Sequence, residues 1–222
     1  MRSLAILVLT SMSFIGACQW WPHSTTDVKA PSEYRLQGEL LRQNNRLWLR
    51  DCNNSQTPPQ PLYLEPAAAA LFSAVNYSGL EARSLFADLR VVDSGNTAKA
   101  LRVRHIYTVT QDSTCTRRDM PSLLLQAHGY APLWRMKITA HGFLLERAGK
   151  SALALPYIEE KLPNGLYAFS SEANGKRIRL SIAPELCIDS QTVGWYSLRA
   201  RLSIDDEPPQ MGCASFGGAR NE

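Results

Sequence analysis

Apolar and polar residues alternate in short runs along most of this chain. Leu36, Gly38 and Leu40 alternate with polar neighbours, Gln43-Asn44-Asn45 marks a turn, and Leu47 and Leu49 alternate with Trp48 and Arg50 up to Cys52. A period of two predicts strands with one buried face. A Pro-rich loop, Thr57-Pro58-Pro59-Gln60-Pro61, leads to the apolar piece Leu62-Tyr63-Leu64. Pro66 then opens the small apolar run from Ala67 to Val75, with Gly79 beyond it. Proline at the start and glycine past the end predict a short helix. Leu85, Ala87, Leu89 and Val91 alternate again, and after Asp93-Ser94-Gly95-Asn96 the pattern places Val103, His105, Tyr107 and Val109 on one face, opposite Arg102 and Arg104. Strands with one helix between the third and fourth predict a small closed barrel of the OB type, with the helix plugging one end.

The second half reads as strands throughout. Trp134, Met136 and Ile138 alternate with Arg135, Lys137 and Thr139, and Phe143 to Arg147 follow a turn at His141-Gly142. Tyr167 and Phe169 follow Pro163-Asn164-Gly165, and Ile178, Leu180 and Ile182 follow Asn174-Gly175. Tyr196, Leu198, Ala200, Leu202 and Ile204 alternate opposite Ser197, Arg199, Arg201 and Ser203. Turns at such short intervals predict an antiparallel meander that closes into a barrel or sandwich. The fold class is therefore mainly β: an OB-like domain over residues 33–118, a linker over 119–128 with a short helix after Pro121, a β-barrel or sandwich domain over 129–217, and a tail over 218–222.

The N-terminus sets the expected compartment. Arg2 precedes an apolar stretch from Leu4 to Ile15, which is shorter than the roughly 20 residues needed to span a bilayer. It ends in Ile15-Gly16-Ala17-Cys18. A basic start, a hydrophobic segment, two small residues and a cysteine form a bacterial lipoprotein signal, with residues 1–17 removed and the Cys18 thiol acylated. Residue two of the processed chain is Gln19. An aspartate there commonly retains a lipoprotein at the inner membrane, so Gln19 favours the outer membrane, facing the periplasm. Residues 18–32 read as a polar tether, with Trp20 and Trp21 beside the lipid.

Charge and cysteines narrow the function classes. The formal net charge is +4, spread without a basic block, which gives nucleic-acid binding no support. Apart from Cys18 the cysteines are Cys52, Cys115, Cys187 and Cys213. An even set in an exported chain reads as disulfides, and four cysteines allow three pairings. Cys52–Cys115 with Cys187–Cys213 is the preferred one, because each bridge then closes a loop within one half. Their long spacings and the lack of a nearby His argue against a metal, and no cofactor is expected.

Two stretches carry resemblances. Gly129-Tyr130-Ala131-Pro132-Leu133-Trp134, Cys187-Ile188-Asp189-Ser190 and Gly212-Cys213-Ala214 resemble the G-x-x-P-x-W start, C-x-D-S patch and terminal Gly-Cys of a domain found in uncharacterised bacterial envelope lipoproteins. Ala131, Leu133 and Gln191 depart from the usual Glu, Phe and Met of that pattern. The stretch from Gly38 through Arg50-Asp51-Cys52 to Leu85-Phe86-Ala87-Asp88-Leu89 is similar to the OB-fold domain of NlpE-type lipoproteins. Copper chemistry in that family belongs to a C-x-x-C motif that this sequence lacks.

Catalytic motifs are missing from the sequence: it has no G-x-S-x-G, H-E-x-x-H or phosphate-binding glycine loop. His105 reads as a core or rim histidine, and His128 and His141 as surface turns. Glu159 and Glu160 point to opposite faces of a strand, which makes them a poor acid/base pair. Asp205-Asp206-Glu207 reads as a solvated hairpin loop, and Asp189 as a local turn partner. Trp134 and Trp195 are the candidates to line a ligand pocket in the second domain, with core packing as the alternative. The reading is a non-enzymatic lipoprotein, attached to the membrane by its anchor and engaging an envelope protein. The alternative is a small-ligand binder.

Overall fold

The computed structural model describes residues 32–44, 46–54, 56–66, 68–69, 85–93, 100–111, 115, 120–191 and 193–220. The signal segment, Cys18 and nearly all of the tether lie outside the described residues. So does the expected helix beyond its first turn, where Pro66 begins the turn and the Ala69 amide donates to the Glu65 carbonyl at 2.8 Å.

The chain is mainly β and builds two sheets. The first contains β1 (Glu33–Gln43), β2 (Arg46–Asp51), β3 (Gln60–Leu64), β4 (Leu85–Asp93) and β5 (Leu101–Thr110). β1 pairs with β2, β2 with β3, β3 in parallel with β5, β5 with β4, and β4 back with β1. That ring is a closed five-stranded barrel with the connectivity of the OB type. Alternation fills it: Leu36, Leu40, Leu49, Leu89, Val91 and Val103 meet in its core. Gly38 sits where β1 passes from one neighbour to the next, pairing with both Asp51 and Ala87. An added Cβ there would run into the Arg50 carbonyl and the Leu49 side chain, so the close strand approach needs glycine.

β5 departs from strict alternation. Its pairing with β4 shifts register between Asp88 and Leu89 and again between Arg90 and Val91. The two bulges leave Tyr107 and Arg104 without partners on β4, and each reverses the phase of the side chains that follow. Val103, Ile106 and Val109 therefore point into the barrel, while His105 points out and Tyr107 packs in the core of the second sheet. The expected face of Val103, His105, Tyr107 and Val109 is corrected on this ground.

The second sheet contains β6 (Leu123–Tyr130), β7 (Leu133–Thr139), β8 (Gly142–Arg147), β9 (Leu153–Leu155), β10 (Ile158–Leu162), β11 (Leu166–Ala173), β12 (Lys176–Ala183), β15 (Leu198–Ile204) and β16 (Gln210–Phe216). Their order is β10-β11-β12-β15-β16-β6-β7-β8-β9, antiparallel throughout. The two ends of this sheet, β9 and β10, are joined by Pro156 and Tyr157 alone. So short a link spans about 10 Å, which forces the sheet to curl until its edges approach. Tyr157 bridges the gap, donating to the Thr139 carbonyl at 2.9 Å and meeting Phe169 edge-on. Trp134, Phe143, Phe169, Leu180 and Leu202 fill the curl. Asn174 and Gly175, both at positive φ, form the tight β11–β12 turn that the sequence signals.

The described residues form one compact unit, because each half reaches into the other. The hairpin of β13 (Cys187–Asp189) and β14 (Gly194–Tyr196) leaves the second half and pairs β14 with β5 at Val109 and Thr108. It extends the barrel sheet on the side of β5 that β3 has already left. Three boundaries are corrected accordingly. Residues 119–128 are not a linker: a 3-10 turn at Met120–Ser122 leads directly into β6, a central strand. The second domain gives a hairpin to the first. The tail is packed, with the Ala219 amide donating to Leu123 and Arg220 only 7% exposed.

Candidate functional site

The face of the barrel that carries β1, β4 and β5 turns toward the second half and is strongly polar. Arg35 lies opposite Arg90, and Arg90 opposite His105. Asp88, fully buried, accepts from Arg35 Nε and NH2 at 2.7 Å each and from Gln37 Nε2 at 2.8 Å. Arg35 also donates to the carbonyls of Phe216 at 2.6 Å and Gly217 at 2.5 Å, and its guanidinium stacks 4.0 Å over the Tyr107 ring. This bidentate pair, with its backbone bonds, ties the barrel to the last strand of the second sheet. Arg220 lies nearby and works within the second half, where it pairs with Glu159 and stacks over Tyr167, Phe216 and Phe169.

Beside this clamp a groove of about 520 Å³ opens between the barrel and the segment that carries Pro184 to Leu198. Arg90, Arg104 and His105 form one side, and Leu186, Trp195 and Phe216 belong to the other. The His105 ring reaches solvent, yet burial pushes its pKa below the ordinary value, and the Arg90 and Arg35 charges push it further the same way. Arg104 is compensated by Glu65 at 2.9 Å and Glu33 at 3.7 Å. Ser197 Oγ and Trp195 Nε1 are buried and make no hydrogen bond among the described residues.

A second polar cluster surrounds a disulfide. The Cys52–Cys115 and Cys187–Cys213 bridges both form as expected. Next to the latter, His128 Nε2 lies 3.2 Å from Asp189 Oδ2, and the His128 ring meets Tyr130 and Tyr196 edge-on. The other Asp189 oxygen accepts from the Gln191 amide at 2.9 Å, which is the expected turn contact. His128 is thus half-buried within β6 rather than in a surface turn. The cluster and the bridge together fix β13 to β6 and β16, which holds the transferred hairpin in place.

The two tryptophans proposed to share a pocket do not meet. Trp134, 0% exposed, belongs to the core of the second sheet, while Trp195, 2% exposed, rides on the transferred hairpin into the barrel core. The β14–β5 pairing separates them. Glu159 and Glu160 do diverge, the first to Arg220 and the second to Arg179. Asp205 and Asp206 lie at a solvated hairpin, where Asp205 accepts from the Arg177 amide and Lys176, and both bonds lower its pKa. Sequence reasoning missed Arg35, Asp88, Arg90 and Arg220. Arg35, Asp88 and Arg90 sit at polar positions of alternating runs, the pattern of solvent-facing residues, and the docking of the two halves covers Asp88 fully and the two arginines in part, while Arg220 falls in the stretch read as a tail.

No protein-family model, curated protein or solved structure matches this chain.

Proposed function

We propose that this chain is an outer-membrane lipoprotein held on the periplasmic face by an acylated Cys18, and that it acts without catalysis as an envelope interaction or stress-related accessory protein. The observation that carries this reading is the Ile15-Gly16-Ala17-Cys18 box ahead of a disulfide-stapled β unit. Disulfides persist in an oxidising compartment such as the periplasm, in agreement with export. Gln19 supports sorting to the outer membrane. Both cores are filled by side chains, which leaves the surface to do the work. Tyr130, Leu133 and Met211 stay exposed where the β6–β7 turn lies beside the start of β16, and apolar exposure of that kind suits a protein contact. A pocket inside the second sheet finds no support, since Trp134, Phe143 and Phe169 occupy that space.

The test has two readouts in intact cells. An alkyne fatty acid should label the chain, and the label should co-fractionate with the outer membrane; both should vanish in Cys18→Ser. Crosslinking followed by mass spectrometry should capture an envelope protein with the wild type and lose it in the same variant. Labelling that persists without Cys18 would refute the anchor. Capture unchanged in the variant, or none above background, would refute the anchored interaction role.

A further inference from the structure

Three neighbouring strands of the barrel set Arg35, Arg90 and His105 in one row. Like charges directly opposite one another destabilise a sheet, so the Arg35–Arg90 pair calls for compensation. The fold compensates one member only. Asp88 takes Arg35 with both oxygens and shares one of them with Gln37. Arg90 has no hydrogen bond or ion pair among the described residues, and its guanidinium lies 6.0 Å from the Tyr107 centroid. Glu33 is the only acidic residue among the described residues lining the groove, and it faces Arg104 at 3.7 Å. The opposite wall is apolar except for Ser197, whose buried hydroxyl has no hydrogen bond among the described residues.

We propose that this groove binds a small amphiphilic anion, its carboxylate, sulfate or phosphate head against Arg90 and His105 and its apolar body along Leu186, Trp195 and Phe216. A guanidinium matches such heads through paired donors. The anion supplies the counter-charge that Arg90 lacks among the described residues. Pro184 and Leu186 are the exposed and half-exposed parts of that wall, and covering them removes apolar surface from water. A volume of about 520 Å³ suits a medium-chain or aromatic acid and is within the range of small-molecule sites. The site does not depend on the partner role proposed above.

The head group has two sources: a soluble amphiphile or an anionic membrane lipid. The experiment uses the chain purified from membranes and placed in phosphatidylcholine nanodiscs, with 6-bromohexanoate as the probe. Its bromine quenches a tryptophan it touches, and Trp195 lines the groove. Saturable quenching is expected with 6-bromohexanoate, none with the neutral 6-bromohexanol, and Trp195→Phe should abolish the saturable part. Loss of a charge-assisted contact should weaken binding about tenfold or more in Arg90→Gln, with partial recovery in Arg90→Lys. If Arg90→Gln fails to fold, His105→Gln tests the same contact. Equal quenching by the alcohol, unchanged binding in Arg90→Gln, or saturation that survives Trp195→Phe would overturn the site. Competition from phosphatidylglycerol in the disc assigns the head to a membrane lipid, and its absence assigns it to a soluble anion.

Discussion

Replacing Asp88 by alanine tests whether the two halves are held together by a buried charge pair. Asp88 is fully buried and accepts three short bonds, two from Arg35 at 2.7 Å and one from Gln37 at 2.8 Å. Removing one partner of a buried pair leaves an uncompensated charge and costs about 3–5 kcal/mol. Arg35 keeps its bonds to the Phe216 and Gly217 carbonyls and its stacking on Tyr107, so the lower part of that range, about 3–4 kcal/mol, is expected. In a unit of this size that lowers the melting temperature by about 10 °C. Urea unfolding of the soluble chain beginning at Gln19 measures the loss. Native-state hydrogen exchange locates it: the Gly217 and Ala219 amides, which donate to Leu124 and Leu123, should exchange faster, while β11 and β12 stay protected. The double variant Arg35→Met/Asp88→Ala should cost well under the sum of the two single changes. A loss below about 1 kcal/mol, or strict additivity, would refute a buried pair as the tie between the halves.

The chain-entropy model assigns about 3.5 kcal/mol to the Cys187–Cys213 bridge and about 4.3 kcal/mol to Cys52–Cys115, from separations of 26 and 63 residues; double Cys→Ser variants in denaturant check both. His105 binds a proton less readily in the folded chain than in the unfolded one, so stability is present above about 6.5 and falls as pH drops toward the lower folded value. His105→Gln should flatten that fall in a series of urea midpoints taken across the same window. Gly212→Ala should destabilise the chain by about 1–3 kcal/mol, since an added Cβ would run into the His128 carbonyl and the Trp134 ring; a wild-type melting temperature would count against that packing.

Strand identity was legible because it rests on local signals, and the disulfide pairing because each bridge closes within one half of the chain. Alternation at Leu36 to Leu40 and Tyr196 to Ile204 is set by burial of one sheet face, and turns such as Asn174-Gly175 carry their own backbone preference. Three features were not legible. The bulges of β5 depend on how β4 is paired, so nothing near His105 announces that its side chain leaves the expected face. The move of β14 to the barrel depends on shape complementarity between distant segments, and that move carries Trp195 away from Trp134. Arg35 and Asp88 look solvent-facing on their own strands and are covered where two polar faces meet, Asp88 completely, while Arg220 lies in the stretch read as a tail. The groove at Arg90 belongs to the same junction and was missed for the same reason.

The pairing of β6 with β16 makes the second sheet depend on two segments far apart in the chain. It joins residues 123–130 to residues 210–216 at the middle of the nine-stranded sheet. Synthesis runs from the N-terminus, so β6 and β7 are made long before β16, the neighbour on the other flank of β6. Strands β6 to β9 can pair in the order they are made, and so can β10 to β12 with β15, but β16 joins the two sets at the centre of the sheet. Losing residues 210–216 would split the sheet through its middle rather than trim an edge, exposing the backbone of both β6 and β15 at once. A chain that ends before residue 210 therefore leaves two central strands unpaired at once, and its sheet in two pieces.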